Sequence, residues 1–141
     1  MAYTVYVQRE IDLPQKFVFG ALNDFCGIKK LLPDMIDSVE CSGSGIGMLR
    51  NITLQGGGRV IERLEISRGD DLFGYSIIEN DALPLQDYFA FVELRTTQEK
   101  KTEITYQSNF KATGDNSEEM TGAITQLYNS IIDGIVTSGQ Q

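Results

Sequence analysis

The spacing of hydrophobic positions changes three times along this 141-residue chain. Residues 3–10, YTVYVQRE, alternate apolar and polar side chains, which is the period of a half-buried strand. The interval then lengthens. Phe17, Val18, Leu22 and Phe25 form a stripe at three-to-four spacing, with Pro14 placed to open a helix and Asp12 to cap it. A shorter helix is predicted around Ile28–Leu32 and stopped by Pro33. Alternation returns over about 35–42, 47–54, 59–67, 72–79, 88–96 and 102–112, with polar or glycine-rich turns such as GSGIG, QGGG, SRGDD and TQEKK between the segments. Such short connections favour an antiparallel meander over βαβ crossovers. From Ser117, read as an N-cap ahead of Glu118 and Glu119, the period becomes helical again through Met120, Ile124, Leu127, Tyr128, Ile131, Ile132, Ile135 and Val136, ending before Gly139. The predicted order is β-α-α-β6-α over residues 1–141, a single α+β domain whose long C-terminal helix covers one face of a seven-stranded antiparallel sheet.

The glycines of GSGIGMLR (43–50) and Gly56-Gly57-Gly58 invite a phosphate-loop reading. The G-x-G-x-x-G fingerprint would need glycine where Met48 stands, and a phosphate cradle would need a helix after it. A strand-like segment follows instead, so both stretches are read as hairpin turns. A net charge of −8 argues against a nucleic-acid surface and against an anionic membrane surface. No apolar run reaches transmembrane length, and MAYTVYVQRE lacks the order of a secretion signal, so a cytoplasmic protein is expected. Cys26 and Cys41 lie far apart with no CxxC pattern and are read as reduced structural thiols. The chain has no histidine, which removes Ser-His-Asp and Cys-His catalysis and imidazole metal sites. Any chemistry would fall to carboxylates, lysine, tyrosine or positioned water, with no metal and no cofactor expected.

Alternation also assigns faces, although a one-residue slip would invert them. Arg50, Ile52 and Leu54 share one face, as do Val60, Glu62, Leu64 and Ile66 on the next strand. Tyr75 pairs with Ile77, Tyr88 with Ala90 and Val92, and Ile104 with Tyr106, Ser108 and Phe110. Arg50 and Glu62 are the unusual members, because a charge on an apolar face is costly unless paired or hydrated. They are candidates for a ligand anchor or, for Glu62, a general acid/base; a structural ion pair and simple solvent exposure are the alternatives. Tyr75, Tyr88, Tyr106 and Tyr128 are candidates to line a pocket or to fill core space. Met120, Ile124 and Tyr128 fall on one stripe of the last helix, again either pocket wall or core.

The element order and the local wording together resemble the SRPBCC superfamily, the helix-grip proteins that include START domains, polyketide cyclases/dehydrases and birch-pollen allergens. VQREIDLPQKFVFGALNDF is similar to that family's first strand and following helix, LLPDMIDSVE to the entry of its second strand, and GIGMLRNITL, VIERLE and QDYFAF to later strands. The resemblance implies a sheet curled around the last helix with a ligand cavity between them. It also suggests comparison with the plant abscisic acid receptors, where Glu62 and Tyr88 match a pocket glutamate and a pocket tyrosine. The receptors' gate and latch are replaced by QGGG (55–58) and LPLQ (83–86), and their pocket lysine falls near Pro33, so an acid-binding receptor is not expected. Gly56-Gly57-Gly58 would be either a flexible lid or an ordinary turn.

The reading that results is binding or transport of a hydrophobic small molecule, whether lipid, polyketide or aromatic metabolite. Its site would comprise Arg50, Ile52, Leu54, Val60, Glu62, Tyr75, Ile77, Tyr88, Ala90, Tyr106, Met120, Ile124 and Tyr128. The alternative is a polyketide cyclase/dehydratase-like enzyme in which Glu62 and a tyrosine, Tyr106 or Tyr88, move protons. A protein-interaction module ranks third, since the acidic residues are dispersed and form no marked face.

Overall fold

The computed structural model describes residues 3–140. Strand β1 (Tyr3–Ile11) leads into α1 (Gln15–Asn23), a single 3-10 turn at Phe25–Gly27 and the short α2 (Ile28–Leu31). Six strands follow: β2 (Ile36–Ser42), β3 (Leu49–Leu54), β4 (Arg59–Arg68), β5 (Leu72–Asn80), β6 (Leu85–Thr96) and β7 (Thr102–Ala112). The chain then enters α3 (Ser117–Gly139). The sheet order is β1-β7-β6-β5-β4-β3-β2, with every pairing antiparallel. A meander of six strands is therefore closed at one edge by β1, and α1 and α2 carry the chain across to the other edge.

Helix α3 runs 23 residues, about 34 Å at 1.5 Å per residue, and buries Met120, Ile124, Tyr128, Ile131, Ile132 and Ile135 against the sheet. Its cap is Asn116, one residue before the expected Ser117, and Glu118 and Glu119 occupy the first turn. Gly134 permits close packing: a Cβ there would strike the backbone carbonyl of Leu31 in α2. In α1 Pro14 stands just before the first helical residue and Asp12 supplies no cap. The buried stripe is Val18, Phe19, Leu22 and Phe25, while Phe17 stands out to solvent. The short helix with its turn is rotated so that position 19 rather than 17 meets the core.

Sheet irregularities bend the strands around α3. Register shifts occur in β4 between Ile61 and Glu62 and again between Leu64 and Ile66, where it pairs with β5. Another in β6 lies between Gln86 and Phe89, with Asp87 at φ 56°. Strand β6 also begins at Leu85, three residues before its expected start at 88. The link from β2 to β3 is a six-residue loop, 43–48, in which Gly43, Gly45 and Gly47 all have positive φ. It leads into a strand, which leaves no helix N-terminus for a phosphate.

Cys26 and Cys41 are joined in a disulfide with Cα atoms 6.0 Å apart, correcting the expectation of reduced thiols. Their separation of 15 residues in sequence hides the proximity, because the chain from the 3-10 turn through α2 folds back beside β2. Among the described residues no helix is long and apolar enough to cross a membrane.

Candidate functional site

Between the sheet and α3 lies a cavity of about 160 Å³. Its walls include ten of the residues singled out from the strand and helix patterns: Arg50, Ile52, Leu54, Val60, Glu62, Tyr75, Ile77, Tyr88, Met120 and Ile124. The remaining walls come from Ile28, Leu32, Met35 and Ile36 around α2, from Leu83 before β6, and from Ala123, Leu127 and Ile131 of α3. Strand alternation could not find the α2 group; the apolar residues flanking Lys29-Lys30 were the available signal. Ala90, Tyr106 and Tyr128 are not part of the cavity wall. Each is at most 1% exposed and packed between sheet and helix, because alternation assigns a face and says nothing about depth.

One wall is ionic. Arg50 on β3 and Glu62 on β4 are direct cross-strand partners, 3% and 8% exposed. The guanidinium donates from Nε and Nη2 to Glu62 Oε1, both at 2.7 Å, and from Nη1 to the carbonyl of Phe25 at 3.0 Å. Its carbon sits 3.8 Å from the centre of the Phe25 ring and 5.0 Å from that of Tyr75, so the cation lies against two aromatic rings inclined at 61° to each other. Both contacts to the carboxylate use Oε1. The carboxylate itself lines the cavity, within reach of a ligand.

The other polar feature is a chain of tyrosine hydroxyls. Tyr106 meets Tyr75 at 2.6 Å, Tyr75 meets Tyr88 at 3.4 Å, and Tyr88 meets Tyr128 in a short contact. The rings of Tyr106 and Tyr128 stack with centres 3.9 Å apart. Burial pushes all four phenols up from the ordinary range near 10, and the negative charge of Glu62 pushes in the same direction. For Tyr106 the hydrogen bond with Tyr75 acts the opposite way. The phenols are thus held neutral, and only Tyr75 and Tyr88 reach the cavity wall.

Leu32, Met35, Leu54 and Leu83 line both the cavity and a wide surface groove, so they partition the interior from solvent. The QGGG turn is fastened to this partition by Gln55 N–H donating to the Met35 carbonyl at 2.8 Å. Gly56 and Gly57 adopt φ of 98° and 102°, the conformation that an ordinary tight turn asks of glycine.

A seven-stranded antiparallel sheet gripping a long C-terminal helix, with a cavity between them, is a helix-grip fold. No protein-family model and no curated protein sequence matches the chain. Solved structures do. The chain is similar to Ara h 8.0201, with TM-score 0.84, 18% identity and 99% of each chain covered. It is similar to the protein XoxI from Bacillus cereus, with TM-score 0.82 and 20% identity over 98% of this chain and 96% of that one. It is also similar to norcoclaurine synthase from Thalictrum flavum in complex with dopamine and hydroxybenzaldehyde, with TM-score 0.80 and 15% identity over 97% and 86%. At these identities the likeness establishes the fold alone.

Proposed function

We propose that the protein binds or transports a small, largely apolar molecule in this cavity, with Glu62 Oε2 accepting a hydrogen bond from the ligand's polar end. The observation that carries the reading is a carboxylate on the wall of a largely apolar chamber, whose contacts to Arg50 use Oε1. Size narrows the class. A chamber of about 160 Å³ is close to the ~150 Å³ that accommodates benzene and lies below the ~300–1,000 Å³ of drug-sized pockets. An aromatic metabolite of one ring fits without wall movement; a lipid chain or a multi-ring polyketide requires the Leu32–Met35–Leu54–Leu83 partition to open. The aromatic compounds bound to norcoclaurine synthase agree with that choice.

The enzyme reading is second, and the arrangement changes its cast. Tyr106 lies behind Tyr75, so a proton-transfer pair with Glu62 would use Tyr75 or Tyr88. The Glu62 carboxylate is already engaged by Arg50, which favours an anchoring role over a general base. We place the protein in the cytoplasm, acting without nucleic acid or membrane insertion.

Calorimetry with three one-ring probes tests the proposal. Phenol is expected to bind about tenfold more tightly than toluene, the equivalent of one hydrogen bond of about 1.4 kcal/mol, with benzoate weakest because its charge meets Glu62. Glu62→Gln should reduce the phenol preference to about twofold while toluene still binds. Failure of all three probes to bind the native protein would remove the cavity reading, and an unchanged preference in the variant would remove the anchor.

A further inference from the structure

We infer that the Cys26–Cys41 disulfide is a redox latch on the cavity wall, binding being tight when it is closed and weak when it is reduced. The inference rests on the cavity reading for its ligand and on independent geometry for the latch. Cys41 is the cross-strand partner of Arg50, and Arg50 is the partner of Glu62. Directly opposed residues of an antiparallel pair project to the same face with Cβ atoms about 5 Å apart. The disulfide, the guanidinium and the carboxylate therefore form one row across β2, β3 and β4. At the other end of the bond Cys26 follows Phe25, whose carbonyl accepts from Arg50 and whose ring lies under the same guanidinium. The bond pins both strands of chain that hold the cation.

The segment it closes is also a wall. Residues 26–41 include Ile28, Leu32, Met35 and Ile36, and Leu32 and Met35 belong to the partition. Helix α2 has only four residues, too few to be stable alone. Its remaining polar ties are exposed or long: Lys29 to the Asp37 carbonyl, Lys30 to Asp24, and Gln55 to the Met35 and Ile36 carbonyls, so apart from the disulfide it is held by burial of Ile28, Leu31 and Leu32 and by packing on α3 at Gly134. Opening the disulfide restores the freedom that loop closure removes. If the reduced wall holds the binding arrangement about a tenth of the time, apparent affinity drops about tenfold.

The chemistry needs a small thiol reductant, and Cys26 is exposed while Cys41 is half-buried. A thiolate attacks Cys26 Sγ, the S–S bond breaks, and Cys41 leaves as a thiolate beside Arg50, giving a mixed disulfide at Cys26. A second thiolate attacks the reductant's sulfur in that mixed disulfide and releases Cys26. Both cysteines take up protons, and two thiols leave as one disulfide, so two electrons and two protons enter the protein. Reciprocity follows: if reduction weakens phenol tenfold, saturating phenol lowers the midpoint potential by about 30 mV.

Two readouts on the full chain test the latch, phenol affinity by calorimetry and backbone hydrogen exchange, each before and after reduction with dithiothreitol. The expected result is about tenfold weaker phenol binding and faster exchange across residues 28–36, with β6 and β7 unchanged. Reoxidation should restore both, and the double variant Cys26→Ser, Cys41→Ser should match the reduced native protein. Equal affinity and equal exchange in the two redox states would overturn the latch. Redox-dependent exchange at 28–36 with no phenol binding in either state would overturn the cavity reading and the latch's control of binding, leaving only a disulfide that holds the α2 wall; equal affinity with redox-dependent exchange would overturn the latch alone. Because the native chain is compared with itself, a variant that fails to fold does not remove the test.

Discussion

The protein buries two polar sites that adjoin at Tyr75, whose ring centre lies 5.0 Å from the Arg50 guanidinium, and they solve the same problem differently. On β3 and β4 the solution is charge: Arg50 and Glu62 pair, and two aromatic rings and a backbone carbonyl complete the cation's surroundings. On β5, β6, β7 and α3 it is neutrality: four hydroxyls satisfy one another in a row. The ionic site sets its carboxylate on the cavity wall, whereas the tyrosine row spends its hydroxyls internally and keeps half its members off the wall. A buried polar group that lines open space is positioned to recognise; one enclosed by its partners is positioned to support. On the proposed function, the contrast gives Glu62 the anchoring role and Tyr106 and Tyr128 the framing one.

The largest difference should appear in alkali. The tyrosine pKa values are raised in the folded protein, so above pH of about 10 the unfolded chain releases protons that the native state keeps. Their stabilising contribution is full below that pH and is lost as pH rises towards the folded values. Each buried phenol adds a slope of about 1.4 kcal/mol per pH unit, so four acting together remove up to about 5 kcal/mol in the first unit. Urea midpoints should hold steady up to pH of about 9.5 and then fall steeply. A slope worth one tyrosine or less would mean that water enters the row, and the contrast between closed and open sites would fail.

Next in size is the ionic site itself. Arg50→Met leaves Glu62 charged, buried and unpaired, and should lower unfolding free energy by about 3–5 kcal/mol. Replacing both, as Arg50→Met with Glu62→Leu, should recover most of that loss, since two apolar side chains carry no desolvation cost. Chemical denaturation of the single and double variants gives the comparison directly. A single variant no worse than the double one would show the carboxylate already hydrated through the cavity, and the anchor would then compete with water.

Much of this division is legible in the amino-acid sequence. Period-two alternation put Arg50 and Glu62 on one face, and the short QGGG turn between their strands made them neighbours. It equally placed Tyr75, Tyr88 and Tyr106 inward, which they are. Depth was not legible, because whether an inward side chain meets a cavity or another side chain depends on how far α3 sinks into the sheet. That is why Tyr106, Tyr128 and Ala90 fell off the wall. The α2 wall and the disulfide were hidden for a different reason: both depend on a fold-back between segments with no shared period. Phe19 displaced Phe17 because a helix of nine residues can rotate by a few tens of degrees without breaking its pattern.

The smallest effect is the sharpest test of the division. The Tyr106 hydroxyl contacts the Tyr75 hydroxyl and lies off the cavity wall. Tyr106→Phe removes one neutral hydrogen bond and should cost about 0.5–1.5 kcal/mol of stability. It should leave phenol affinity within about twofold, since a support loses little when the binding group is untouched. Tyr75→Phe, on the wall, should cost a similar stability but alter phenol affinity more. If instead Tyr106→Phe weakens phenol as strongly as Glu62→Gln does, the row transmits to the ligand through Tyr75. The tyrosines would then belong to the binding site, and a proton-transfer role for the pair of Glu62 and Tyr75 would become the better reading.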